Sequence, residues 1–295
     1  MRVGIVGVGN MGLNMARRLL DGGYAVHARD IRPEAEAEAM RHGAIIERTP
    51  AALARAVDVI LIVVVNAAQI ESVLFETSTG AIETLRAGQT VILSSTIAPR
   101  DTAGFAARLA ARGIDCLDAP ISGGPARARE GTISLMCAGN AAARRRVQPV
   151  LDSLASRVFT IGEIPGDAAK AKLVNNLLAA INLVAGASAL ALSARVGLEP
   201  KAMYELICAS SGNSWVFADR MGRALADDYA PRAHAHILTK DLGLALDMAA
   251  DAGFHSPLGA LALDIFRQTC AAGWSEQDDA AVFKTLSDVP PPARV

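Results

Sequence analysis

The chain begins with residues 1–30, MRVGIVGVGNMGLNMARRLLDGGYAVHARD. Residues 2–6 form a short apolar run typical of a strand, residues 13–20 have helical spacing, and residues 24–28 are a second strand-like run. Gly7, Gly9 and Gly12 form a G-x-G-x-x-G pattern between the first strand and the helix, and Asp30 follows the second strand. Because all these parts occur together, the stretch predicts a dinucleotide-binding turn rather than a glycine-rich turn without a ligand.

The glycines and the start of the helix have separate expected roles. Gly7 permits the tight turn, Gly9 lets the backbone approach a pyrophosphate, and Gly12 lets the helix pack closely on the strand. The helix then begins near Asn10 and Met11, where free N–H groups and the helix dipole favour phosphate. These five residues are the predicted phosphate site.

Asp30 bears on the choice of dinucleotide. A carboxylate at the end of the second strand accepts hydrogen bonds from the adenosine ribose and repels a 2′-phosphate. The sequence therefore favours NAD. Arg29 and Arg32 flank the acid and can tolerate a phosphate, so NADP remains an alternative.

Composition limits the classes of partner and location. The formal net charge of −1 and the pI near 6.5 give no reason to expect nucleic acid or an anionic membrane as a partner. The four cysteines are scattered without a C-x-x-C pair, which is typical of a reducing cytosol. No signal peptide precedes the first strand, and the apolar run 177–192 is shorter than the roughly 20 residues that span a membrane. A cytoplasmic protein is expected.

The pattern along the chain predicts two domains within 295 residues. Strand-like and helical runs alternate up to about residue 163, which predicts a doubly wound, Rossmann-type parallel α/β sheet over 1–163. Residues 164–295 read as helices only and predict an all-α domain. Its first helix, 167–195, is apolar almost all round, so we expect a homodimer or homotetramer. The tail 289–295 is expected to be loose.

Polar residues follow three of the predicted strands. Asn66 comes after the apolar run 57–65, and Thr96 comes after the strand 90–94. Ligands bind beyond the carboxyl ends of the strands in open α/β sheets, so both residues are candidates for cofactor or substrate contacts. Ser122, Gly123 and Gly124 lie in a third loop, where consecutive N–H groups and a hydroxyl can hold a carboxylate. A loop that needs glycine only for its turn fits the same letters.

The helix after the sheet carries candidates for proton transfer. Lys172 and Asn176 are four residues apart and share a helix face, with Asn175 on the adjoining row. A lysine in an apolar cleft has its pKa lowered by desolvation and can exchange a proton with a substrate hydroxyl. A solvated lysine at a helix start is the alternative interpretation, and Lys170 points to the other side of the helix.

No metal site is predicted. His234 and His236 are two residues apart, so in a helix their side chains would face opposite sides, and the sequence offers no evident third ligand.

Four stretches resemble the β-hydroxyacid dehydrogenase family, which includes 3-hydroxyisobutyrate dehydrogenase and tartronate semialdehyde reductase. They are GVGNMGLNMARRLLDGGY (7–24), DAPISGGPARAREGTISLM (118–136), KLVNN (172–176) and TKDLGLALDMA (239–249). The resemblance implies that Lys172 is the general acid/base, that Asn176 orients the substrate, and that Thr96 and Lys240 lie by the nicotinamide. It also implies that Ser122, Gly123 and Gly124 hold the substrate carboxylate, with Asn175 lining the same site.

The resemblance implies reversible hydride transfer between NAD(P) and the β-hydroxyl carbon of a small hydroxy acid, with a semialdehyde as the product. Two departures affect it. The family often has proline where this chain has Val65-Asn66, and the common G-x-x-x-K spacing from Gly166 reaches Lys170 instead of Lys172. An imine reductase of related architecture and a non-catalytic dinucleotide-binding protein are the alternatives.

Overall fold

A computed structural model describes residues 1–287, so the predicted loose tail 289–295 lies outside the described residues. The chain divides into two compact units, residues 1–172 and the chain from Leu173 onward. That division falls inside a helix, nine residues after the predicted boundary at 163, which stays a prediction.

The first unit contains strands and helices in alternation. Its strands are Arg2–Val6 (β1), Ala25–Arg29 (β2), Ile45–Ile46 (β3), Val59–Ile62 (β4), Thr90–Leu93 (β5), Asp115–Asp118 (β6), Ile121–Ser122 (β7), Ile133–Ala138 (β8) and Ala155–Gly162 (β9). Its helices are Asn10–Asp21 (α1), Pro33–Arg41 (α2), Pro50–Ala56 (α3), Ala67–Phe75 (α4), Pro99–Ala110 (α5), Gly124–Glu130 (α6) and Ala141–Leu154 (α7).

All nine strands belong to one sheet, with the order β3-β2-β1-β4-β5-β6-β8-β7 and with β9 paired to β8. The first six strands are parallel, which confirms the doubly wound fold class. The sheet is not parallel throughout, because β8 runs antiparallel to both β6 and β7. The chain reverses direction along the sheet at β1 and β4, and the carboxyl ends of these two strands form the switch point where such folds bind ligands.

Two apolar cores, one on each side of the sheet, explain the strand composition. One core contains Met15 and Leu19 of α1, and the other contains Leu53 of α3 and Ile70 of α4. Strands β4 and β5 are buried along their whole length because helices cover both faces. The predicted strand 57–65 is too long, since the chain leaves the sheet after Ile62.

Three elements cannot be recognised from the sequence pattern, and one predicted loop contains regular secondary structure. β3 has only two residues and β9 is mostly exposed, so neither shows a clear apolar period. α7 has an apolar face that buries Val147, Leu151 and Leu154, but Pro149 inside it interrupts the helical pattern of the sequence. The loop predicted at Ser122, Gly123 and Gly124 contains the end of β7 and the start of α6. Short elements of this kind are fixed by their neighbours in the sheet and not by their own periodicity.

The second unit is helical, as predicted. It contains most of the long helix Asp167–Arg195 (α8), followed by Pro200–Cys208 (α9), Trp215–Leu225 (α10), Ala235–Asp251 (α11), Pro257–Thr269 (α12) and Val282–Leu286 (α13). A core formed by α8, α10, α11 and α12 surrounds Phe217 and Phe266. Arg220 of α10 is buried and pairs with Asp279, at 2.6 Å, which ties α10 to the segment before α13.

α8 corrects one argument from the sequence. The apolar run was predicted to be too short for a membrane span, yet the helix has 29 residues and is apolar enough to cross a membrane by length and composition. Ala180, Leu183, Ala187 and Leu190 of this helix lie in the core of the helical unit, which is the behaviour of a core helix of a globular domain. The cytoplasmic location stays a prediction.

Candidate active site

The glycine-rich turn has the geometry that its sequence predicts. Gly7 has a φ of +92°, and a Cβ there would lie 2.4 Å from the Val63 carbonyl oxygen. A Cβ on Gly12 would lie 1.9 Å from the carbonyl oxygen of Gly7. No side chain fits at either position, so the fold itself requires both glycines.

Gly9 differs from Gly7 and Gly12, the other two glycines of the motif. Its φ is −74°, and a Cβ there would meet only the end of the Arg32 side chain, at 3.2 Å. Gly9 is the N-cap of α1 and supplies no side-chain acceptor, so the N–H groups of Asn10 and Met11 have no capping side chain. The open space and the uncapped helix start fit a dinucleotide pyrophosphate.

Asp30 is held against this turn. Its buried carboxylate accepts a hydrogen bond from the Val8 N–H at 2.8 Å and from the Arg32 N–H at 3.0 Å. The Arg32 guanidinium lies 3.3 Å from the same carboxylate, and its side chain is about half exposed. Asp30 therefore also has a structural role in fixing the turn. The Arg32 guanidinium beside it can bind a 2′-phosphate. The structure leaves both NAD and NADP open.

Asn66 and Thr96 lie after β4 and β5, the strands next to the glycine-rich turn. The Asn66 side chain caps α4 by accepting a hydrogen bond from the Gln69 N–H at 2.9 Å. This capping role accounts for asparagine at that position without a ligand. Thr96 is partly buried at the end of β5. The structure thus brings the predicted cofactor residues of the first unit to the carboxyl ends of the sheet strands.

The Ser122-Gly123-Gly124 turn joins β7 to α6. Gly123 has a φ of +136° and Gly124 a φ of +77°, so the turn needs glycine at both positions. Ser122 pairs with Ser134 in the adjoining strand. The conformation explains the two glycines, and the carboxylate-binding role stays a proposal.

Asp118, at the end of β6, was missed as a candidate although it begins the 118–136 stretch. One of its carboxylate oxygens accepts hydrogen bonds from the N–H groups of Gly166 and Ala169, at 2.8 and 2.9 Å. Gly166 immediately precedes α8 and Ala169 lies in its first turn, so Asp118 anchors the start of the helix that carries Lys172. Burial raises the pKa of Asp118 to about 6, although the backbone hydrogen bonds oppose that rise.

Asp118→Asn should change how stability depends on pH. Between about pH 4 and pH 6 the native carboxyl keeps a proton that the unfolded chain has lost, so wild-type stability falls as the pH rises. Asparagine keeps an oxygen for both N–H donors and does not titrate. Urea denaturation gives the unfolding free energies of wild type and of Asp118→Asn at each pH. We expect the difference between them, wild type minus variant, to fall by about 3 kcal/mol between pH 4 and pH 7. Parallel pH curves would contradict this assignment.

The two lysines near the start of α8 are distinguished by burial. Lys170 is exposed, with 58% of its side chain accessible, and its ammonium pairs with Asp167 at 2.8 Å. Lys172 is buried, at 8% exposure. An exposed, paired lysine is typical of a solvated helix start, whereas burial of a lysine calls for a specific role.

In the helical unit, Asn176 belongs to a buried polar group. Its amide donates to Asp241 at 2.7 Å, and its oxygen accepts from Asn175 at 3.2 Å. The other carboxylate oxygen of Asp241 pairs with Lys240 at 2.6 Å. Asp241 was not predicted as a site residue, although it stands next to Lys240 in the 239–249 stretch that resembles the family. It fixes the orientation of the Asn176 amide.

The prediction that His234 and His236 face opposite sides is wrong. His234 is the N-cap of α11 and has extended backbone angles, so the helical spacing does not apply to it. The two rings lie 5.2 Å apart between centroids, and Glu276 is adjacent to both.

Comparison with known proteins identifies the family. The model for the NAD-binding domain of 6-phosphogluconate dehydrogenase matches residues 2–162, and the model for the NAD-binding domain of NADP-dependent 3-hydroxyisobutyrate dehydrogenase matches residues 166–286. L-threonate dehydrogenase of Cupriavidus necator is 39% identical over 292 residues, which cover 99% of this chain and 98% of that protein. The chain belongs to the β-hydroxyacid dehydrogenase family.

Two solved structures agree with this assignment. The 3-hydroxyisobutyrate dehydrogenase of Salmonella typhimurium has a TM-score of 0.89 and 40% identity, covering 96% of this chain and 99% of that one. Psf3 in complex with NADP+ and 2-OPP has a TM-score of 0.90 and 28% identity, covering 97% of this chain and all of that one.

This β-hydroxyacid dehydrogenase is therefore an NAD(P)-dependent enzyme, which confirms the family, the fold class and the cofactor class predicted from the sequence. The turn at Gly7–Gly12 is the part of the dehydrogenase that fits the cofactor pyrophosphate, and bound NAD(P) supplies the hydride chemistry.

Proposed function

We propose that this enzyme oxidises a hydroxyl group of a small hydroxy acid with NAD(P), and that L-threonate is the first substrate to test. The observation that carries the proposal is the 39% identity to an L-threonate dehydrogenase along 99% of the chain. L-threonate is a small acid with a hydroxyl on the β-carbon, so it satisfies the substrate class predicted from the sequence.

The proposed roles are those that the family resemblance implies, and the burial of Lys172 and the hydrogen bond from Asn176 to Asp241 support two of them. Lys172 takes the proton of the substrate hydroxyl as the hydride leaves the same carbon, and it returns a proton in the reverse reaction. Asn176, held by Asp241, orients the substrate, and Asn175 lines the same site. Ser122, Gly123 and Gly124 hold the carboxylate; Thr96 and Lys240 lie by the nicotinamide.

Initial rates of NAD and NADP reduction across a panel of hydroxy acids test the proposal. The panel contains L-threonate, D-threonate, 3-hydroxyisobutyrate, glycerate and L-serine. We expect L-threonate to give the highest kcat/KM and D-threonate to give a much lower one, because a fixed carboxylate and a fixed base select one configuration. The product acid, oxidised at carbon 2 or at carbon 3, identifies the carbon that loses the hydride.

Addition of a cyclic imine with NAD(P)H to the panel, and a separate binding measurement, give two outcomes that would reject the proposal. Reduction of a cyclic imine with no turnover of any hydroxy acid would favour an imine reductase. Normal binding of NAD(P), measured by fluorescence, without turnover of any acid or imine would favour a non-catalytic dinucleotide-binding protein.

We also propose that the enzyme is a homodimer or homotetramer that forms through its helical unit. Val174, Leu178 and Leu192 of α8 are each more than half exposed in the single chain. Removal of such apolar surface from water contributes about 25 cal/mol per Å², which offsets the entropy lost on association. A monomer in sedimentation velocity at micromolar concentration would refute this part.

A further inference from the structure

Outside the proposed active site, three potential metal ligands meet on the helical unit. They are His234, His236 and Glu276, and one ligand atom from each lies within 4.8 Å of the other two. The Glu276 carboxylate is 3.3 Å from Nδ1 of His236 and 3.8 Å from Nδ1 of His234. Both imidazoles are partly exposed, so an ion in solution can reach them.

The backbone holds both imidazoles in a defined orientation. Nδ1 of His234 is 2.9 Å from the carbonyl oxygen of Glu276, and Nδ1 of His236 is 2.9 Å from that of Ser275. A carbonyl only accepts, so each Nδ1 carries the proton and each Nε2 keeps its lone pair. Metal-bound histidines have this arrangement, with one ring nitrogen donating to a carbonyl and the other bound to the ion.

The two segments that carry these ligands are joined before any ion binds. The N–H of Ala235 donates to the Gln277 carbonyl at 2.9 Å, and the N–H of His236 donates to the Ser275 carbonyl at 3.2 Å. His234 also forms an isolated antiparallel β-bridge with Asp278, which is itself fully buried. An ion held by the two Nε2 atoms requires the Glu276 carboxylate, which lies beside the Nδ1 atoms on a side chain that is 77% exposed, to turn toward it.

We propose that His234, His236 and Glu276 bind one divalent transition-metal ion, with zinc as the representative ion. Two imidazoles and one carboxylate suit zinc, nickel or copper and do not suit calcium or magnesium, which prefer oxygen ligands. Three protein ligands leave a fourth position for water. The ion fastens the start of α11 to the segment 275–278, and α11 carries Lys240 and Asp241 further along.

Isothermal titration of the whole chain with ZnCl₂ at pH 7.5, in a buffer that does not chelate, tests this site. We expect one equivalent per chain for wild type. In His236→Ala and in His234→Ala the Kd should rise at least tenfold, since even the loss of an outer partner of a metal ligand costs about 10–100-fold. Zinc should raise the melting temperature of wild type and leave that of His236→Ala unchanged.

His42→Ala is the matched control, because His42 also pairs with a glutamate, Glu38, at 3.1 Å, but without a second histidine. It should keep the wild-type stoichiometry and Kd. Cys270→Ser controls for a thiolate ligand and should bind zinc as wild type does. Absence of binding by wild type, unchanged binding by His236→Ala, or loss of binding in Cys270→Ser would each overturn the proposal.

Discussion

Replacement of Lys172 by alanine should lower kcat for the preferred hydroxy acid by about 10²- to 10⁴-fold, which is the usual contribution of a general acid/base. The variant should keep its fold, because alanine favours the helical backbone of α8, although it removes the buried side chain beyond Cβ. The KM for NAD(P) should change little. Steady-state kinetics with circular dichroism as the folding check measure both effects.

Lys170→Ala is the control that the chain itself offers. Lys170 precedes Lys172 by two residues on the same helix, but it is exposed and pairs with Asp167. Its removal should leave kcat within about twofold, since an exposed ion pair contributes little. Both G-x-x-x-K spacing and K-x-x-N-N spacing occur in this chain, so the pair of variants decides between the two lysines.

Two further measurements identify Lys172 as the proton acceptor. A base must be unprotonated, so the fall in the wild-type rate of hydroxy-acid oxidation at low pH should disappear in Lys172→Ala, and added primary amines should restore part of the rate. A folded Lys172→Ala enzyme with wild-type kcat would contradict the assignment.

Replacement of Gly9 by alanine should weaken NAD(P) binding by about tenfold or more, or at least about 1.4 kcal/mol, with a loss of stability limited to the poorer N-cap, about 1 kcal/mol or less. The φ of Gly9 suits alanine, and the new methyl group would displace only the flexible end of Arg32. The methyl group would, however, occupy the space through which a pyrophosphate approaches the backbone. Fluorescence titration with NADH and NADPH measures the Kd, and thermal denaturation measures the stability.

Gly12→Ala separates the structural glycine from the cofactor glycine. A methyl group there would overlap the Gly7 carbonyl oxygen, so the turn must move, at a cost of about 1–3 kcal/mol or more. Gly12→Ala should therefore lose stability as well as affinity, whereas Gly9→Ala should lose mainly affinity. Equal losses of stability in the two variants would refute the distinction.

Local sequence patterns were sufficient for the parts of this protein whose periodicity or motif is strong. The bounds of α8, 167–195, agree with the prediction because apolar residues extend through the whole helix. The dinucleotide turn followed from three glycines between a strand and a helix. The sequence motifs also determined the family, since they cover both units of the chain.

The tertiary structure decided everything that depends on residues distant in sequence. It showed that β8 is antiparallel to β6, that Asp118 holds the first turn of α8, and that Asp241 holds Asn176, 65 residues away. It also showed that His234 and His236 lie side by side, because His234 precedes α11 and the helical spacing does not apply to it. Side-chain burial and hydrogen-bond partners arise from packing between distant segments, and a local period carries no information about them.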